Sequence, residues 1–79
     1  MTTPLDDPQH VAIAFDSSVL AGAAYDLQHS LLQLDFYNGS SYRYFDVPTS
    51  TWEALLTAKS KGTFFQRAIR SHFRFLRLT

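Results

Sequence analysis

Apolar and polar positions alternate most regularly between Leu31 and Tyr37, where Leu32, Leu34 and Phe36 fall on one side and Gln33 and Asp35 on the other. A period of two marks a half-buried strand. Asn38-Gly39 follows, and both residues tolerate the positive φ of a tight hairpin turn. The chain returns over Tyr42 to Phe45 or Asp46 as an antiparallel partner. Upstream, Val19 to Tyr25 reads as a strand with Val19, Ala21, Ala23 and Tyr25 on one face. Its alanines would also suit a helix, but Gly22 at the centre favours the extended form. Asp26 to Ser30 then serves as a turn, with Asp26 accepting backbone hydrogen bonds. Val11 to Phe15 alternates large and small side chains and is a candidate edge strand.

After Val47-Pro48 the period changes. Trp52, Leu55 and Leu56 recur at i, i+3 and i+4, the spacing of one helix face. Thr49 or Ser50 is a candidate cap, and Ser50 with Glu53 has capping-box spacing. Lys59-Ser60-Lys61-Gly62 interrupts this helix. A second is predicted from near Thr63, where Thr63 and Gln66 repeat the box spacing, with Phe65, Ile69 and His72 or Phe73 as its apolar stripe. The final Phe73 to Thr79 fits either an imperfect strand or a continued helix. The predicted fold is α+β: a small antiparallel β-meander of three or four strands, with two short helices packed on one face.

Register decides where the rings of Tyr42-Arg43-Tyr44-Phe45 point. A two-residue Asn38-Gly39 loop would set Leu34 against Arg43, an unfavourable pair. One more residue, as a bulge or three-residue loop after Gly39, sets Phe36 against Tyr42, Leu34 against Tyr44 and Leu32 against Asp46. Tyr42 and Tyr44 are then mainly structural core residues, while Arg43 and Phe45 face outward. Asp35 and Arg43 become an ordinary surface ion pair.

At 79 residues, 46% hydrophobic and 15% aromatic, the chain has room for one core. It contains no cysteine, so disulfides and thiolate metal ligands are excluded. His10, His29 and His72 match no metal-ligand spacing, and neither metal nor cofactor is expected. No apolar run approaches the roughly 20 residues of a membrane helix, and the N-terminus lacks a signal-peptide layout. A cytoplasmic protein without membrane attachment is expected. Residues 1–16, with two prolines and paired aspartates among the first ten, read as a lead-in containing the candidate edge strand at 11–15. Residues 17–79 form the domain.

Zero formal net charge conceals a separation. Residues 1–53 carry seven acids and one base, Arg43, whereas residues 54–79 carry six bases and no acid. Those bases are Lys59, Lys61, Arg67, Arg70, Arg74 and Arg77, interleaved with Phe64, Phe65, Phe73 and Phe75. They either attract the acidic half across the fold or offer a face to phosphate or an acidic partner.

Taken together, Tyr25-Asp26, Leu32-x-Leu34-x-Phe36, Asn38-Gly39, Tyr42-Arg43-Tyr44, Val47-Pro48, Ala58-x-Ser60-x-Gly62-x-Phe64-Phe65 and Ile69-Arg70 resemble the KTSC domain. The resemblance runs from about Ser17 to Phe73 and maps that family's Tyr-x-Tyr onto Tyr42 and Tyr44. The sequence departs from the pattern at Gln66, where Asn is commoner, at Phe73, where Tyr is usual, and at Leu27, which replaces a turn proline. The family is named for a C-terminal extension of some lysyl-tRNA synthetases and also occurs as a stand-alone bacterial protein. The resemblance implies an accessory module, with RNA binding suggested by that attachment.

Two functions are therefore expected ahead of catalysis. One is an adaptor that binds an unidentified protein or a second copy of itself. The other is an RNA-binding module, tRNA included, in which the six bases contact phosphate and an exposed Phe45 or Phe75 stacks on a base. Ser60-Lys61-Gly62-Thr63 could receive one phosphate but lacks P-loop spacing. No nucleophile stands beside a base at a recognisable spacing, so no enzyme is expected.

Overall fold

The computed structural model describes residues 10–15 and 17–79. Five strands form one antiparallel sheet in chain order: β1 His10–Ala14, β2 Leu20–Asp26, β3 Leu31–Phe36, β4 Ser41–Tyr44 and β5 Phe75–Arg77. Helix α1, Thr49–Thr57, and helix α2, Lys61–Phe64, lie between β4 and β5 in the chain. Helix α2 runs directly into a π-helical turn, Phe65–Ile69. The meander with two helices on one face is the expected architecture, but it has five strands rather than three or four. The undecided tail supplies the extra one. The edge strand foreseen at 11–15 spans His10–Ala14; residues 1–9 and 16 of the expected lead-in lie outside the described residues.

Two cross-sheet rows define the buried face. Tyr25, Leu32, Tyr44 and Phe75 form one, and Ile13, Ala23, Leu34, Tyr42 and Arg77 the other. Val47, Trp52, Leu55, Phe65 and Ile69 close over them from the helical side, and all five are buried. The Tyr25 and Trp52 rings stack at 5.3 Å and 9°, while the Tyr25 hydroxyl donates to the Val47 carbonyl at 2.6 Å. This bond ties β2 to the segment that leads into α1.

The second strand corrects the expected facing. A bulge between Leu20 and Gly22 breaks the alternation, so Leu20 is buried and Val19 exposed. Gly22 sits where β1 comes close: a Cβ there would lie 2.9 Å from the Ile13 carbonyl oxygen. An alternation count cannot see an inserted residue, which moves every side chain before it to the other face.

In the hairpin, the extra residue precedes Gly39 rather than following it. Tyr37, Asn38 and Gly39 form a three-residue loop, with Gly39 N–H donating to the Phe36 carbonyl at 3.0 Å and Gly39 at φ 92°. The strands consequently pair Leu34 with Tyr42 and Leu32 with Tyr44, two residues away from the expected register. A shift of two preserves which side chains face inward, so the face assignment survives although the partners change. One partner is lost outright: Asp35 faces Ser41, whose hydroxyl donates to it at 2.7 Å, while Arg43 faces Gln33. The expected Asp35–Arg43 pair is not formed.

Neither expected capping box closes. Pro48 occupies the N-cap position of α1 and offers no side-chain cap. Ser60, not Thr63, caps α2 by accepting from the Thr63 N–H at 3.2 Å. His72 is exposed and Phe73 half-buried, so Phe73 completes the apolar stripe.

Candidate functional site

The helices cover the middle of the sheet and leave the end beside β5 open. An open pocket of about 400 Å³ lies there, between the π-helical turn and strands β3 to β5. Its wall is aromatic: Phe36, Tyr42, Tyr44, Phe65 and Phe75, with Asn38, Ser40, Gln66 and Arg70 supplying polar groups. The lining includes no acid.

Alternation along β4 and pairing with β5 build the floor. Tyr42 and Tyr44 share the inner face with centroids 6.4 Å apart, and Phe75 lies 5.7 Å from each. Phe36 and Phe65 meet edge to face at 5.2 Å, and Phe65 meets Tyr44 the same way at 6.0 Å. Such contacts hold rings in fixed orientations. Phe75, at the sheet edge, keeps 55% of its surface exposed.

The π-helical turn supplies the rim. Arg70 N–H donates to the Phe65 carbonyl at 2.9 Å, five residues back instead of four. One residue is thereby accommodated without breaking the helix, and such insertions recur at functional sites. Phe65 and Ile69 remain buried, while the Arg70 guanidinium donates to the Gln66 amide oxygen at 2.9 Å over the pocket. Desolvation pushes the Tyr44 phenol up to about 12, with Tyr42 adding to the rise and Arg70 opposing it. The hydroxyl is therefore a neutral hydrogen-bonding group at physiological pH.

The six bases of the second half do not converge. Arg70 lines the pocket, and the Arg77 guanidinium lies 5.8 Å from the Tyr42 ring centroid. Arg74 pairs with Asp46 at 3.3 Å and covers the Phe45 ring at 5.2 Å; Phe45, proposed as an exposed aromatic, is half-buried beneath it. Lys59 and Arg67 line a separate depression with Thr63 and Phe64. Lys61 is engaged within the fold. Its ammonium donates to the Leu56 and Ala58 carbonyls at 3.0 and 2.6 Å and sits 5.6 Å from the Phe15 ring centroid. It thus satisfies carbonyls that the end of α1 leaves free.

Of the residues singled out from the sequence, Tyr42, Tyr44, Arg70 and Phe75 line this pocket and Arg77 lies beside it over Tyr42, whereas Phe36, Phe65, Asn38, Ser40 and Gln66 were not singled out as site residues. Gln66 had a signal of its own, a polar side chain between the buried Phe65 and Arg67 at a position where the resembled family also carries an amide.

Elsewhere, Asp26 is buried at the turn after β2. It accepts from the Gln28 and His29 N–H groups at 2.9 and 3.1 Å and meets His29 Nδ1 at 2.7 Å. These contacts build a turn. Among the described residues no group of three or more His, Asp or Glu could hold a metal ion, and no helix is long and apolar enough to cross a membrane.

Comparison with known proteins agrees with this architecture. A KTSC domain protein from Yersinia pestis, solved by crystallography, superposes with a TM-score of 0.82 at 27% identity, covering 89% of this chain and 99% of that one. An uncharacterised protein of Stutzerimonas stutzeri is 36% identical over 67 residues, which are 84% of this chain and 94% of the relative. A lysine–tRNA ligase of Nostoc punctiforme is 38% identical over 64 residues, 81% of this chain but 11% of the ligase. The KTSC domain profile matches residues 16–73, most of the chain including the pocket's tyrosines and Arg70, and the chain belongs to the KTSC domain family.

Proposed function

We propose that the domain is a non-catalytic binding module for single-stranded RNA, tRNA single-stranded regions included, that receives one unstacked base in the aromatic pocket. The observation that carries this reading is an acid-free pocket combining five aromatic side chains with Arg70 and Gln66. Its volume of about 400 Å³ lies at the small end of ligand pockets, which span roughly 300–1,000 Å³. That suits one flat heterocycle. Phe75 and Tyr42 offer ring faces for stacking, Gln66 and Asn38 offer amides to a base edge, and Arg70 and Arg77 stand where flanking phosphates would pass. Similarity to a segment of a lysine–tRNA ligase, an enzyme named for its tRNA substrate, supports this reading.

The test is a fluorescence titration with a short single-stranded RNA and with tRNA, repeated across salt. Phe75→Ala should weaken binding by about 1–3 kcal/mol, the worth of one stacked base. Arg70→Gln should weaken it and lower the salt slope by about one. Arg67→Gln, which faces the other depression, should change affinity far less. Undetectable wild-type binding at low salt, or equal losses for Arg67→Gln and Arg70→Gln, would refute the reading.

One observation favours protein binding as well. Strand β5 is an open sheet edge, which offers main-chain groups to another strand.

A further inference from the structure

The free side of β5 has a defined hydrogen-bonding pattern. Phe45 N–H donates to the Arg74 carbonyl and Leu78 N–H to the Ser41 carbonyl. These two bonds belong to one antiparallel register, in which Arg43 faces Leu76. Bonded and non-bonded pairs alternate along such a ladder. Leu76 therefore turns its main-chain groups toward β4, whereas Phe75 and Arg77 turn theirs toward the open edge.

This edge carries one exposed apolar side chain on each face of the sheet. Phe75 is 55% exposed on the helix side, and its neighbour Leu76 is 54% exposed on the opposite side. A partner lying on one face would cover one of them. A strand added to the edge would pack against both from the side, leaving the Phe75 face toward the pocket free.

The geometry points to a second copy of this chain as that strand, paired antiparallel about a two-fold axis through Leu76. In this register Phe75 faces Arg77 of the other copy, twice, and the four outward main-chain groups of each strand bond reciprocally. Leu76 meets Leu76 at the non-bonded position, where Cα atoms approach to about 4.5 Å. The Phe–Arg pairing repeats a contact already made within the chain, where Arg77 lies over Tyr42. The formal net charge of zero leaves no overall repulsion between copies. A two-fold normal to the sheet keeps both helical layers on one side. The partner's guanidinium then reaches the rim of the pocket beside Phe75, and two pockets open side by side along a continuous sheet. The pairing stands whatever the pocket binds; its service to RNA rests on the function proposed above.

Sedimentation velocity without RNA reads the pairing directly, so its failure is separable from a failure of RNA binding. The wild type should sediment at twice the 9.0 kDa chain mass, and Leu76→Asp, which sets two carboxylates face to face, should return the mass to one chain. The chain has no cysteine, so Leu76→Cys adds the sole thiol. The two-fold pair has a Cα separation suited to a disulfide, roughly 4.4–6.8 Å, and Leu76→Cys should therefore cross-link under mild oxidation much faster than Leu27→Cys at an exposed turn. A wild type that stays monomeric at millimolar concentration, or equal cross-linking of the two cysteine variants, would overturn the pairing.

Discussion

The bond from the Tyr25 hydroxyl to the Val47 carbonyl joins the second strand of the sheet to the start of the helical layer, and Tyr25→Phe removes that bond alone. Both partners are fully buried, and the 2.6 Å length is that of a strong hydroxyl–carbonyl contact. The Thr49 hydroxyl, 3.5 Å from the phenol oxygen, is too far to add much. Phenylalanine keeps the ring on Trp52, so stacking and volume are retained while the Val47 carbonyl loses its donor. Leaving a buried acceptor unpaired costs about 1–3 kcal/mol. The retained packing and some local relaxation place the expectation near 1–2 kcal/mol. For a domain this small that is a sizeable share of a total of roughly 4–12 kcal/mol. It corresponds to a fall in Tm on the order of 5–15 °C. Urea unfolding followed by the fluorescence of Trp52, the single tryptophan, measures it directly. The midpoint should fall with the slope unchanged, and the RNA binding proposed for the pocket, whose wall does not include Tyr25, should not change. A midpoint equal to that of the wild type would refute the claim that this bond holds sheet and helices together.

Other outcomes follow from the same geometry. Lys61→Met retains an apolar stem near Phe15 but removes the donor to the Leu56 and Ala58 carbonyls; stability should fall by about 1–2 kcal/mol in denaturant titration, with RNA affinity unaltered. Gly22→Ala sets a Cβ 2.9 Å from the Ile13 carbonyl oxygen, so the first two strands must separate. The expected cost is about 1–3 kcal/mol, read as faster hydrogen exchange across β1. Tyr44 has its phenol pKa raised from 10.0 to about 12 in the fold, so the folded state holds that proton more tightly than the unfolded chain. Its contribution is fully present below pH 10 and is lost as pH rises toward 12. Near-ultraviolet titration should show a late tyrosinate step that Tyr44→Phe removes.

The sheet's inner face was legible because alternation is a matter of parity. Leu32, Leu34, Phe36, Tyr42 and Tyr44 point inward whichever of two registers two residues apart is chosen, so the sequence specified faces more firmly than partners. Bulges and turns carry no such redundancy, and one inserted residue before Gly22 was enough to exchange Val19 for Leu20 in the core. The helices followed from the spacing of Trp52, Leu55, Phe65 and Ile69. The π-helical turn did not, because a shift from four-residue to five-residue bonding leaves the order of apolar residues unchanged. Strand β5 was ambiguous because its inner-face position next to Phe75 is occupied by Arg77, at an edge that the helices leave uncovered. Binary patterning assumes that one face is dry, and at β5 it is not.

The pocket was legible only in part, since its wall comes from four separate elements that no local spacing connects. Charge was also a poor guide to position. Lys61 closes the end of a helix and Arg74 answers Asp46, which leaves Arg70 and Arg77 beside the rings. What distinguishes those two from the other bases is their place in the fold, set by the π-helical turn and by the pairing of β5 with β4.

Whether the aromatic pocket receives single-stranded RNA is read by mapping NMR shift changes in the protein on addition of a short single-stranded RNA at low salt. Saturable changes are expected, centred on the Gln66 side-chain amide, the Arg70 guanidinium and the rings of Tyr42, Tyr44 and Phe75. Changes centred instead on Lys59 and Arg67, or a spectrum that RNA leaves untouched, would contradict binding in this pocket.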